Sequence, residues 1–247
     1  MKEFDKIEKI AFTLAETLIV MGIIGVVAAL TLPNLNSSTG NKEKVVKLKK
    51  IYSNLNDAYG RAIAVYGPID TWPRDGNNSD RFASRISEFI KHSKYCDSEH
   101  TKECIDMDTD YKLPAIVFAD GTSMLFWANL SCDFEANNKL KTLGPDCGSI
   151  ELDLDGVNKG KNYYGVDMFN FVITQNNGIL PRYSRDTSDF VYPDGCFGKT
   201  TSSAKWKHYS CTAWVIENGN MDYLNADTNG QCKNSNVTLS ETVTSCK

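Results

Sequence analysis

The side chains best suited to chemistry in this chain are carboxylates and thiols. Residues 152–162 read Leu-Asp-Leu-Asp-Gly-Val-Asn-Lys-Gly-Lys-Asn, and 165–169 read Gly-Val-Asp-Met-Phe. Alternating Asp and Asn oxygens around a glycine turn suit a hard cation such as Ca²⁺, and the candidate ligands are Asp153, Asp155, Asn158 and Asp167. The same pattern also suits a plain Asx turn, in which those side chains cap backbone amides. No glutamate closes the loop as it would in an EF-hand. Catalytic signals are weak. The three histidines, His92, His100 and His208, are scattered, and no metal-binding His-x-x-x-His pair, Gly-x-Ser-x-Gly elbow or phosphate-binding Gly-x-x-x-x-Gly-Lys loop occurs. The expectation is a protein without enzymatic activity.

Eight cysteines stand at Cys96, Cys104, Cys132, Cys147, Cys196, Cys211, Cys232 and Cys246. None is two residues from the next, as a structural zinc site usually requires. An even number at wide spacing reads instead as a disulfide framework made in an oxidising compartment. Connectivity does not follow from spacing; sequence neighbours, Cys96 with Cys104 and Cys132 with Cys147, are the simplest guess. The net charge of −4 gives no electrostatic reason to expect nucleic acid as a partner, because phosphate contacts call for a basic face.

One further carboxylate, Glu16, is the only charge in an apolar run. Residues 12–32 read FTLAETLIVMGIIGVVAALTL, followed by Pro33. About 21 residues at 1.5 Å each cover the roughly 30 Å of a bilayer's hydrocarbon core, which predicts a membrane-spanning helix. A charge inside such a segment is costly and calls for a partner. A secretory signal cleaved after Ala29 fits poorly, because the run is too long and carries a carboxylate. A plain membrane anchor leaves Glu16 unexplained.

This N-terminus resembles that of the type IV pilins and type II secretion pseudopilins. The resemblance rests on a short polar leader (residues 1–11), a start at Phe12 followed by Thr13 and Leu14, a glutamate fifth from that start, and Gly25 and Pro33 farther along. Ala11 stands where the family usually has glycine. The resemblance covers about a tenth of the chain. It implies cleavage between Ala11 and Phe12 by a prepilin peptidase, methylation of the new amine, and pairing of Glu16 with the Phe12 amine of a neighbouring copy. It also implies like subunits in a helical filament, an inner-membrane assembly platform and, before assembly, membrane lipid as partners. The expected location is the cytoplasmic membrane, single-pass with the head outside, and then a cell-surface or periplasmic filament. A membrane-tethered binding or adhesion protein at a filament tip is the alternative, and an anchored secreted hydrolase is a more distant one.

These groups need elements to hold them. Pro33 predicts a kink or break, and residues 34–41, rich in Asn, Ser and Gly, predict a loosened stretch. Val45, Leu48, Tyr52, Leu55, Tyr59, Ala62 and Tyr66 recur at alternating intervals of three and four, the stripe of an amphipathic helix, which Gly67-Pro68 ends. Beyond it, Asp120-Gly121 between residues 116–119 and 122–127 predicts a hairpin, and residues 169–174 and 179–183 around Asn176-Asn177-Gly178 predict another. Residues around Trp214 predict a short helix ending at Asn218-Gly219. The expected fold class is α+β and pilin-like: a long N-terminal helix with a membrane-spanning half (12–35) and an amphipathic half (36–67), packed on an antiparallel-sheet head (68–247) with disulfide-tied loops.

Overall fold

Helix α1 (Leu14–Tyr66) contains two stretches of different character. The computed structural model describes residues 14–105, 112–133, 145–156, 159–182, 196–197, 203–240 and 242–247, and within 28–39 the backbone alone. The chain divides into two units, Met1–Asn41 and Lys42–Lys247. In the first, every side chain from 14 to 27 is exposed. In the second, Val45, Leu48, Ile51, Leu55, Ala58 and Ala62 are buried. Their spacing of three and four places them on one face of the helix.

The membrane-spanning half of the expected fold, and the single-pass location in the cytoplasmic membrane that went with it, are corrected here. Among the described residues, no helix is long and apolar enough to cross a membrane. From Lys42 onward the helix carries five lysines within nine positions, which no bilayer interior would accept. The pilin-like description falls with that half. Pro33 does not end the helix, which runs without interruption through 34–41 as well. Asn and Ser cost a helix only about half a kcal/mol each relative to alanine, so such a stretch weakens a helix without forbidding it. The helix stops where Gly67 takes φ +79° and its amide closes back on the Ile63 carbonyl at 2.9 Å.

The sheet of the second unit is antiparallel, in the order β1 (Lys94–Cys96), β2 (Ala115–Val117), β3 (Ser123–Ala128), β4 (Asp146–Asp153), β5 (Met168–Thr174), β6 (Ile179–Pro181). Alternation along the strands sorts its two faces. Met124, Phe126, Ile150, Leu152, Phe169, Phe171 and Ile173 join the buried stripe of α1 in one core. Tyr52 stacks on Phe171 with ring centroids 5.4 Å apart. On the opposite face Ala115 and Leu125, paired across β2 and β3, pack with Cys96, Cys104 and Ile105 in a smaller cluster.

Helix α2 (Asn78–Ser87) starts at Asn77, whose side chain accepts the Ser79 and Asp80 amides, and buries Phe82, Ala83 and Ile86. Helix α3 (Cys211–Asn218) ends at Gly219 in the left-handed conformation, the preferred cap for that position. A bulge at Cys147 shifts the β4–β5 register. Gly148 takes φ +137° there, where any Cβ would run into the Trp127 carbonyl.

Candidate functional site

Two regions carry the residues singled out above. The first is the start of α1. Ala11 and Phe12, the expected cleavage pair, lie outside the described residues. Glu16 lies in the first turn of α1, where the helix dipole favours a negative charge. Around it the large apolar side chains are exposed, from Leu14 at 79% to Val20 at 53%. They cover all sides of the helix, since Leu18, Ile19, Val20 and Met21 are consecutive. Gly22 and Gly25 also look out on open space. Monomers rarely expose continuous apolar patches beyond a few hundred Å², so a stretch of this kind marks a surface that another molecule covers.

The second region is the acidic turn between β4 and β5. Asp153, Asp155 and Asp167 do converge there; Asn158 lies outside the described residues. Asp153 Oδ1 accepts the amides of Asp155 and Gly156, both at 3.0 Å. Asp167 Oδ2 accepts the Lys161 amide at 2.8 Å and its Oδ1 the Tyr163 amide at 2.6 Å. Two of the proposed ligands therefore spend oxygens on backbone amides, Asp153 in the Asx manner and Asp167 on amides that precede it in the chain. Burial pushes the Asp153 carboxyl above the usual range; the Gly156 and Asp155 amides pull it back, and the charges of Asp167 and Asp155 add to the rise. Among the described residues no cluster of three or more His, Cys, Asp or Glu is arranged to hold a metal ion.

Part of the positive charge at these turns comes from α1, beside the turn's own Lys159, whose Nζ lies near Gly121. Lys44 Nζ donates to the Val166 carbonyl at 3.0 Å and lies 3.6 Å from Asp155 Oδ2. Lys47 Nζ donates to the Leu154 carbonyl at 2.7 Å and pairs with Asp120 Oδ2 at 3.2 Å. Burial pushes Asp120 up, but hydrogen bonds from Thr122 and Lys47 outweigh it and hold the carboxyl below its ordinary value. Sequence reading passed over both lysines. Their signal was position: they stand three apart, each beside a residue of the buried stripe.

The disulfides are Cys96–Cys104, Cys132–Cys147, Cys196–Cys211 and Cys232–Cys246, each joining sequence neighbours. The histidines stay apart, each held locally: His92 Nδ1 lies 2.8 Å from the Ile90 carbonyl, His100 Nδ1 2.6 Å from Asp97, and His208 Nδ1 2.6 Å from the Cys196 carbonyl. A polar network that sequence reading also missed lies on the outer face of β4 and β5. Buried Asn170 accepts from Arg182 Nε at 2.7 Å and donates to Tyr209 Oη at 3.2 Å and Glu151 at 3.4 Å. Trp206, 42% exposed, stacks on Tyr164 beside it, whereas Trp72 is buried in the main core.

No curated protein and no solved structure matches the chain. Residues 34–220 match a family of unknown function, DUF6613, and because that stretch is well over half of the chain, the protein belongs to this family.

Proposed function

We propose that the chain is a structural subunit of a filament of the type IV pilus or type II secretion kind, whose copies associate through the start of α1. The observation that supports this most directly is the exposed apolar stretch 14–27. Each large apolar side chain transferred from water into a subunit interface contributes roughly 1.5–3 kcal/mol, so several such residues per copy suffice to drive association. Glu16 supplies register. In this reading a prepilin peptidase cuts between Ala11 and Phe12, and the new Phe12 amine of one copy pairs with Glu16 of the next. Losing one partner of a buried pair costs about 3–5 kcal/mol, which penalises every misaligned packing. The four disulfides support a head that matures in an oxidising compartment.

The test combines the mature N-terminus with the assembled state. Peptide sequencing of the mature protein should find a methylated start at Phe12, and filaments should be visible by electron microscopy. Glu16→Ala should abolish the filaments while the head melts at the wild-type temperature. A mature protein that keeps Met1, or full filament yield from Glu16→Ala, would sink this reading.

A further inference from the structure

The acidic turn looks in sequence like a loop waiting for a metal, yet its positive charge is already supplied from within. Two turns meet here. A Cβ on Gly156, which has φ +84°, would collide with the Gly121 carbonyl, so the turn after β4 lies backbone to backbone on the β2–β3 turn. A Cβ on Gly160 would stand 2.7 Å from both Asp155 Oδ2 and Asp167 Oδ2, so these two carboxylates close on one point. Asp153 lies beside them, Asp120 of the β2–β3 turn adds a further carboxylate, and the Leu154 and Val166 carbonyls add two dipoles. Carboxylates and carbonyls gathered this closely repel one another unless a cation lies among them.

Lys44 and Lys47 are three apart on α1 and border the buried Val45 and Leu48. One ammonium reaches Val166 and Asp155; the other reaches Leu154 and Asp120. Together they touch both turns and both ends of the loop, which the Leu154 amide ties by donating to the Asp167 carbonyl at 2.9 Å. We propose that the ammonium groups of Lys44 and Lys47 are the cations that α1 contributes to the two acidic turns, so that docking of α1 on the sheet and closure of those turns are a single coupled event. The device needs no divalent ion, and it converts the register of α1 on the sheet into order in a loop more than a hundred residues away in the chain.

The experiment is run on the full chain, with thermal melting and amide hydrogen exchange. Wild-type protein should melt at the same temperature with a chelator and with millimolar calcium chloride. Lys44→Met with Lys47→Met keeps the apolar stems and removes the charges. It should lower the melting temperature by at least about 3–12 °C, the range that one charged hydrogen bond gives in a unit of this size. It should also speed exchange at the Gly156, Lys161 and Tyr163 amides, which Asp153 and Asp167 hold. Lys44→Arg with Lys47→Arg should recover part of that protection, and exposed Lys50→Met should change neither readout. If the double methionine variant does not fold, Lys47→Met alone is read by exchange at Gly156. Wild-type exchange rates in the methionine variants would overturn the proposal, and so would a chelator-induced fall in the wild-type melting temperature.

Discussion

At the residue scale the histidines show how surroundings give one side chain opposite behaviour. His208 is buried, and burial pushes its pKa down; the Cys196 carbonyl pulls it back in part, while Lys207 and Lys233 push the same way as burial. The fold therefore favours the neutral ring. A base with a depressed folded pKa contributes stability that is present above the ordinary histidine value and lost as pH falls through the folded value. His100 is the reverse. Its hydrogen bond to Asp97, and then the Asp97 charge, hold its pKa up, so any contribution it makes is present below the ordinary value and lost as pH rises through the raised one. Proton NMR should find the two rings titrating on opposite sides of the ordinary value. Asp97→Asn should return His100 toward that value and leave His208 where it is, and His208→Gln should flatten the acid limb of melting temperature against pH. A His208 ring that titrates at or above the ordinary value would refute this account.

At the element scale the decisive contact is the buried stripe of α1 against the sheet. Leu48 and Leu55 are fully buried, and truncating such a leucine removes its transfer energy and leaves a cavity. Leu55→Ala should cost about 2–5 kcal/mol, read as a lower urea midpoint with an unchanged slope. Exposed Lys50→Ala should stay within about 0.5 kcal/mol of wild type; equal costs for the two would mean that the stripe does not anchor the helix. This contact was legible in the sequence, because a stripe at intervals of three and four has one geometric meaning. So were the Asp120-Gly121 hairpin and the Gly219 cap of α3, where turn residues carry their own backbone requirement. Strand β4 was not. Polar and apolar residues alternate from Ser149 to Asp155, but the bulge at Cys147 breaks the period at the strand's start, and the aspartates at its end read as a cation loop. The two lysines were illegible for another reason: an ammonium on a helix usually faces water, and only the fold brings residues 120 and 154–167 to meet it. The apolar start of α1 misled through its length. Counting residues measures hydrophobicity, and the same hydrophobicity serves a bilayer or a neighbouring copy.

At the scale of the whole molecule, stabilisation belongs to the second unit and the proposed association to the first. Every disulfide lies in Lys42–Lys247, the unit that owns the hydrophobic core, and each closes a short loop. They join β1 to the turn that follows it, the β4 bulge to the end of β3, α3 to Cys196, and the C-terminal residues to Cys232. Short loops gain less from cross-linking than long ones, since the entropy removed from the unfolded chain grows with loop length. For the separation of 15 between Cys132 and Cys147 the expected gain is about 3 kcal/mol, which for a unit of this size amounts to roughly 6–12 °C. Cys132→Ser with Cys147→Ser should show a fall of that size in calorimetry. Cys96→Ser with Cys104→Ser, across a separation of 8, should show a smaller one. The apolar stretch 14–27 contains no cysteine, so association through it should survive both pairs of substitutions wherever the head stays folded, as sedimentation below the melting point can show. If the shorter loop proves the more costly to open, or if either pair abolishes association without unfolding the head, then loop entropy is not what these bonds contribute and the division between the units fails.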